Sequence, residues 1–322
     1  MFQRLFLPLL IWLPAAPVSA DPLTLPHAFG ETRLDPEAVE RIVSVGYHEQ
    51  DFLYALGLAP VGVHEWFGNQ PYATWPWAEA ARKAAGAEPE VQKGFEIDVE
   101  WVWSLEPDLI IASFAPMDAQ LYAQLSEIAP VIGPPAGFPA WGATWEEELR
   151  LIARATGRDR QATEVIAALG AQIAQAKQDY PEFAGTSGTM AHFAEGQVIG
   201  YRRSDGANRL LASLGIETPA EFDSLTRPGG NFPVSPERMD IFDLDVLIWL
   251  VDPASRATIT ALPSWRNTRA AREGRAIWAD EQLMGAMSFQ SPLSISWGLT
   301  HLLPQIAVAL DGDPATPSEA EQ

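Results

Sequence analysis

The chain has 322 residues, 47% of them apolar and 20% charged, which excludes global disorder and suits one large domain or two ordinary ones. An excess of 42 acids over 21 Lys and Arg gives a formal charge of −21, which repels phosphate backbones and excludes nucleic acid as a partner. Cysteine is absent, which removes disulfide scaffolds, thiolate metal sites, a Cys nucleophile and the Cys-linked anchor of a lipoprotein.

Residues 1–20 differ in kind from the rest. They carry one charge, Arg4, then an apolar run at 5–13, then Val18, Ser19 and Ala20, the pattern of a secretory signal peptide cleaved after Ala20. A membrane anchor would need roughly 20 apolar residues, and prolines interrupt this stretch. Export without cysteine points to a soluble protein of the bacterial periplasm.

Short apolar runs then alternate with helical patterns. Strands are predicted at 41–45, 60–64, 109–113 and 130–132, with helices at 50–58, 99–105, 118–129 and 144–156, the last stopped by Gly157. This alternation predicts a mostly parallel sheet covered by helices. Residues 158–180 contain no Pro and only one Gly, which predicts a helix of more than 20 residues ended by Pro181. Strands at 189–194, 197–201, 246–251 and 276–278, with helices at 208–214 and 236–242, repeat the pattern. The fold class is α/β, with two lobes joined by a single long α-helix. The expected division is an N-terminal lobe at 21–157, a linking helix at 158–181, a C-terminal lobe at 182–310 and a disordered polar tail at 311–322. The apolar stretch 291–310 is interrupted by Thr300, His301, Pro304 and Gln305. Its leucines fall at helical spacing, so it reads as a buried amphipathic helix.

One motif occurs twice. Glu100 precedes Asp108 by eight residues, and Glu237 precedes Asp245 by the same interval; each Asp leads directly into an apolar strand. Acids favour helix N-termini anyway, yet the shared spacing points to a shared role.

No nucleophile elbow, phosphate-binding loop or zinc-protease helix is present. The histidines at 27, 48, 64, 192 and 301 are scattered; His48 and His64 both follow strands, but without metal-ligand spacing. No catalytic residues and no metal ligands are therefore assigned, and the chain reads as a binding protein rather than an enzyme. Aromatic residues at strand ends are the informative feature: Tyr47, Trp66, Tyr72, Trp75 and Trp77, Phe114, Tyr201 and Phe232. Together they suit a cleft gripping a large, partly apolar ligand beyond the carboxyl ends of the strands, with Arg202 and Arg203 against anionic oxygens.

The segments HEQDFLYALG at 48–57, APVGV at 59–63, GFEIDVE at 94–100, LEPDLII at 105–111, VSPE at 234–237 and AMSFQSP at 286–292 resemble the periplasmic binding proteins of iron–siderophore ABC importers. The likeness extends over roughly residues 41–310. It implies two Rossmann-like lobes with the ligand cleft between them, and capture of a ferric siderophore and delivery to the importer's permease in the inner membrane by a monomer with no cofactor of its own. It also implies that Glu100 and Glu237 dock onto permease arginines. Ferric hydroxamate binders place an Arg before the N-lobe docking helix, where this chain has Lys93, whereas Phe232 matches their aromatic before the C-lobe helix. Three other readings stay open: the same fold binding cobalamin or haem, with His48 or Tyr47 as an axial ligand; a free-metal binder; and a secreted α/β hydrolase.

Overall fold

A computed structural model describes residues 22–139, 141–226 and 230–316. The expected leader at 1–20 and residues 317–322 of the expected tail lie outside these. The chain opens with a hairpin, β1 (Leu23–His27) and β2 (Gly30–Leu34), which the sequence patterning did not signal. It is tied to the first lobe by Thr32, whose hydroxyl donates to the Val131 carbonyl at 2.6 Å.

Five parallel strands follow: β3 (Ile42–Ser44), β4 (Gly62–His64), β5 (Glu90–Gln92), β6 (Leu109–Ile111) and β7 (Val131–Ile132). They lie in the order β5-β4-β3-β6-β7. The central strands β3 and β6 are buried along their whole length, as unbroken apolar runs covered on both faces require. The second sheet contains β8 (Gly188–Ala194), β9 (Gln197–Gly200), β10 (Phe232–Val234), β11 (Val246–Trp249) and β12 (Ala276–Trp278), in the order β10-β9-β8-β11-β12. Here β8, β11 and β12 are parallel, but β8-β9 and β9-β10 pair antiparallel. The predicted sheet is thus parallel in one lobe and mixed in the other. Trp249, at the end of β11 beside the central strand of the second sheet, is fully buried, stacked on Trp278 at 5.7 Å and edge-on to Trp265 at 5.9 Å.

The repeated motif occupies equivalent places in the two lobes. Asp108 accepts from the backbone N–H of Arg41 at 2.9 Å, and Asp245 accepts from that of Ser187 at 2.9 Å; Arg41 and Ser187 each directly precede the central strand of their sheet. Upstream, Asp98 caps the helix Val99–Ser104 by accepting from Glu100 and Trp101, while Ser235 caps the 3-10 helix Pro236–Phe242 by accepting from Glu237. Both glutamates are exposed.

The linking helix runs Asp159–Asp179. A second helix also unites the lobes without chain continuity: Pro292–Asp311 packs on the linking helix, on the N-lobe helices Glu49–Ala55 and Pro76–Ala85, and on the C-lobe helix Glu281–Phe289. Among the described residues it is the one helix long and apolar enough to cross a membrane. Its apolarity is accounted for by this packing from both lobes. Ser291 and Ser294 close its N-terminus with a reciprocal capping box. The expected tail begins as structure, since Asp311 is helical and Pro314 packs against Gly274.

Candidate functional site

A cavity of about 670 Å³ opens between the lobes, within the range of small-molecule sites. The N-lobe contributes His48 beyond β3, Trp66 and Phe67 beyond β4, Phe114 beyond β6, and the segment carrying Trp141, Trp145 and Glu146. The C-lobe contributes His192 on β8, Tyr201 and Arg202 beyond β9, Asp205 and Arg209 at the helix Gly206–Leu214, and Met284, Met287 and Phe289 from Glu281–Phe289. His48, Trp66, Phe67 and Phe114 follow the carboxyl ends of parallel strands, where an open α/β sheet leaves a crevice.

The wall is aromatic and ordered by stacking. Tyr47 lies parallel to Trp66 at 5.4 Å and to Trp141 at 6.1 Å, while Phe114 meets Trp141 edge-on at 4.6 Å. Trp141 holds a left-handed backbone, φ 57°, which is uncommon for a non-glycine residue.

Beneath this wall lies a buried charged network. His48 faces Glu148 at 3.0 Å through Nε2 and the Phe289 carbonyl at 2.5 Å through Nδ1. Burial alone would lower the His48 pKa, but the charge and hydrogen bond of Glu148, the charge of Glu49 and the Phe289 carbonyl outweigh it and raise the pKa. Glu49 accepts from the Phe114 N–H at 2.8 Å, and burial raises its pKa. Glycine at position 46 leaves room for this carboxylate, since a Cβ there would overlap it and displace it from the Phe114 N–H. Asp51 accepts from Trp77 Nε1 at 2.7 Å and from the Ser291 hydroxyl at 2.6 Å; burial outweighs both bonds and pushes its pKa up to about 6. Two of these contacts, His48 with Phe289 and Asp51 with Ser291, tie the N-lobe to the C-terminal helices.

Arginine supplies the positive side of the cavity. Arg209 donates to the carbonyls of Gly142 at 3.2 Å and Ala143 at 2.8 Å, across the lobe boundary. Burial lowers its pKa, offset by the charge of Asp205. Arg202 reaches the Trp141 carbonyl at 3.5 Å. Asp205 is itself desolvated, which raises its pKa against the bonds from Ala207 and Asn231 and the charges of Arg202 and Arg209. Burial raises the Tyr201 pKa and lowers that of His192, so both rings are neutral at the cavity wall near pH 7.

Of the expected ligand residues, Trp66, Phe114, Tyr201 and Arg202 come together on the cavity, with Tyr47 directly behind Trp66. The others go elsewhere. Trp75 and Trp77 stack on each other at 4.9 Å within the core, because Pro76 starts a helix there and turns both rings inward. Phe232 is buried in the C-lobe core against Phe222. Tyr72 is outside, beneath the Arg82 guanidinium at 4.3 Å. Arg203 is exposed and faces Asp223 at 3.4 Å, the opposite side from Arg202, as adjacent residues leaving a strand do. His48 and His64 do not pair: His64 Nδ1 is bonded to the Val45 carbonyl at 2.9 Å and its Nε2 to that of Gly94. Among the described residues no group of three metal-ligating side chains is found. Glu148, Asp205, Arg209 and Phe289 are absent from the expected set, and His48 enters it only as an axial ligand in the haem reading. The segment 286–292 already marked the last of these.

A family described as Periplasmic binding protein matches residues 42–283. The chain is 33% identical to a periplasmic solute binding protein from Mycobacterium smegmatis str. MC2 155, with a TM-score of 0.78 covering 90% of this chain and 99% of that one. It is 26% identical over 271 residues, 80% of each chain, to the probable siderophore-binding lipoprotein YfiY of Bacillus subtilis (strain 168). PiaA of Streptococcus pneumoniae TIGR4, solved in complex with ferrichrome, shares the fold with a TM-score of 0.77 at 23% identity, over 90% of this chain and 99% of that one. Two α/β lobes, a linking helix, an interlobe cavity and a family match over most of the length lead to one conclusion: the chain belongs to the periplasmic binding protein family, whose members carry substrate to transporters rather than catalyse reactions.

Proposed function

We propose that the protein captures a ferric siderophore in the interlobe cavity and hands it to the permease of an ABC importer. It does so as a monomer in the periplasm, after removal of residues 1–20. The observation that carries this reading is the cavity itself: rings of Trp66, Phe114 and Tyr201 surround a space of about 670 Å³ with Arg202 and Arg209 on one side. A bulky chelate with aromatic or apolar arms and acidic oxygens fits that chemistry. The names of YfiY and of the PiaA–ferrichrome complex support the class. Iron is held by the siderophore, so the protein needs no metal ligands of its own. The haem reading through His48 loses support, since both ring nitrogens of His48 are already engaged.

Intrinsic fluorescence tests the proposal, because Trp66, Trp141 and Trp145 line the cavity. Titration with ferric catecholate, carboxylate and hydroxamate siderophores should give saturable quenching at sub-micromolar concentration for one class. Saturation by haem or cobalamin alone would overturn it. For an anionic chelate, Arg209→Ala should weaken binding about 10- to 100-fold, the size of a lost hydrogen bond to a charged group. An unchanged affinity would remove Arg209 from the ligand contacts.

The exposed glutamates at matching places in the two lobes support docking to permease cations. Reversal of either, Glu100→Arg or Glu237→Arg, should leave siderophore affinity unchanged and abolish siderophore-dependent iron uptake. A weakened affinity in the purified variants would contradict the docking role.

A further inference from the structure

The two copies of the repeat agree in register and differ on their outer faces. Val102 and Met239 are buried at matching positions, as are Leu105 and Phe242, so the copies bury the same places although one is an α-helix and the other a 3-10 helix. Three residues beyond each exposed glutamate the match ends. Trp103 is 70% exposed. Its counterpart Asp240 is exposed and bound to Arg238 at 2.8 Å, a pair turned to solvent. Arg238 in turn corresponds to Trp101, which packs so closely over Gly62 that a Cβ there would lie 2.9 Å from the Trp101 ring. Trp101 therefore belongs to the fold, and Trp103 does not.

Residues three apart on a helix share a face, with Cβ atoms about 5–6 Å apart. Glu100 and Trp103 thus present a carboxylate and a large flat ring side by side. Tryptophan carries an outsized share of binding energy at interfaces, and charged groups are depleted from their cores. The C-lobe copy, with Arg238 and Asp240 beside Glu237, has the opposite character.

We propose that Trp103 is the apolar anchor of the N-lobe docking face, entering an apolar pocket on the outer surface of the permease next to the cation that meets Glu100. With no counterpart in the C-lobe, it fixes which lobe sits on which half of the permease. This rests on the reading of Glu100 and Glu237 as docking residues. A lipid surface is the poorer occupant, since a chain of charge −21 is repelled by anionic headgroups.

The test uses fluorescein-labelled full-length mature protein and spheroplasts of the producing bacterium grown with and without iron. Vesicles of phosphatidylethanolamine and phosphatidylglycerol serve as the lipid control. Saturable binding induced by iron starvation should weaken about thirtyfold in Trp103→Ala, and at least tenfold in Glu100→Arg, while Trp103→Phe retains most of it. Melting temperature and siderophore quenching should not change, since the side chain is exposed and away from the cavity. Loss in Glu100→Arg with none in Trp103→Ala would overturn the anchor and leave the docking reading intact. Equal binding of unaltered protein and Trp103→Ala to spheroplasts, with a difference on vesicles, would make Trp103 a lipid contact and overturn the proposal. Failure of the unaltered protein to bind starved spheroplasts would overturn delivery and anchor together.

Discussion

His48→Ala is expected to destabilise the protein by about 3–5 kcal/mol, the cost of removing one partner from a buried charged pair. His48 and Glu148 are both almost fully buried, and Glu49 and Asp51 lie buried in the same stretch of chain. Removing the imidazole leaves carboxylates in the interior without their cation and strips the Phe289 carbonyl of its partner. Urea unfolding followed by circular dichroism would measure the loss. Replacing both partners with apolar residues, His48→Leu with Glu148→Leu, should recover much of it, because a buried pair contributes little net stability over well-packed apolar groups. A loss below about 1 kcal/mol in the single variant would show that the network is not the tie between the lobes described above.

Asp51→Asn is expected to act in the other direction, and only above mildly acidic pH. The folded carboxyl binds its proton with a pKa of about 6 against a reference of 3.8. Folding therefore favours the protonated form: the group's contribution is complete below about pH 4 and is lost as pH rises through about 6. The difference of roughly two pK units corresponds to about 3 kcal/mol lost by neutral pH. Asparagine carries no charge at any pH, and its carbonyl oxygen can still accept from Trp77 and Ser291. The variant should therefore melt well above the unaltered protein at about pH 8 and close to it at about pH 4. Thermal melts across that range decide the matter; a gap independent of pH would mean that burial of the Asp51 charge is not the cause.

The sheets were legible in the sequence where strands are central and the apolar run is unbroken. Strands β3, β6 and β11 fall inside predicted runs, β8 begins one residue before its run, and Pro181 does follow the linking helix. Two of the four edge strands, β7 and β12, were legible too, but the other two were not: β5 is Glu-Val-Gln and β10 begins with Phe-Pro, patterns that look like loop until a neighbour supplies the ladder. The site was legible as a class of residues rather than as a set. Aromatics at strand ends signalled a cleft, but whether a ring lines it depends on local geometry. Gly285 illustrates this: it passes so close that a Cβ would lie 3.0 Å from both Trp75 and Trp77, which seals those rings into the core. Arg209 comes from the second turn of a helix rather than a strand end, so strand-end reasoning passes over it. The buried ties of His48 and Asp51 run to residues some 240 positions away, a relation that no local pattern carries.

That separation also governs the order of assembly. The N-lobe can form its parallel sheet from the first half of the chain, where His48 already has Glu148 and Asp51 already has Trp77, but the second partner of each is missing until Phe289 and Ser291 have been made. Long-range contacts of this kind close late and slowly, because the loop entropy comes before the reward. The last tenth of the polypeptide therefore supplies the final buried ties of the first lobe, and a nascent chain lacking it leaves one bond of His48 and one of Asp51 unmade. The first lobe is thus completed by the helix made last, so in this family member lobe and closing helix mature together rather than in chain order.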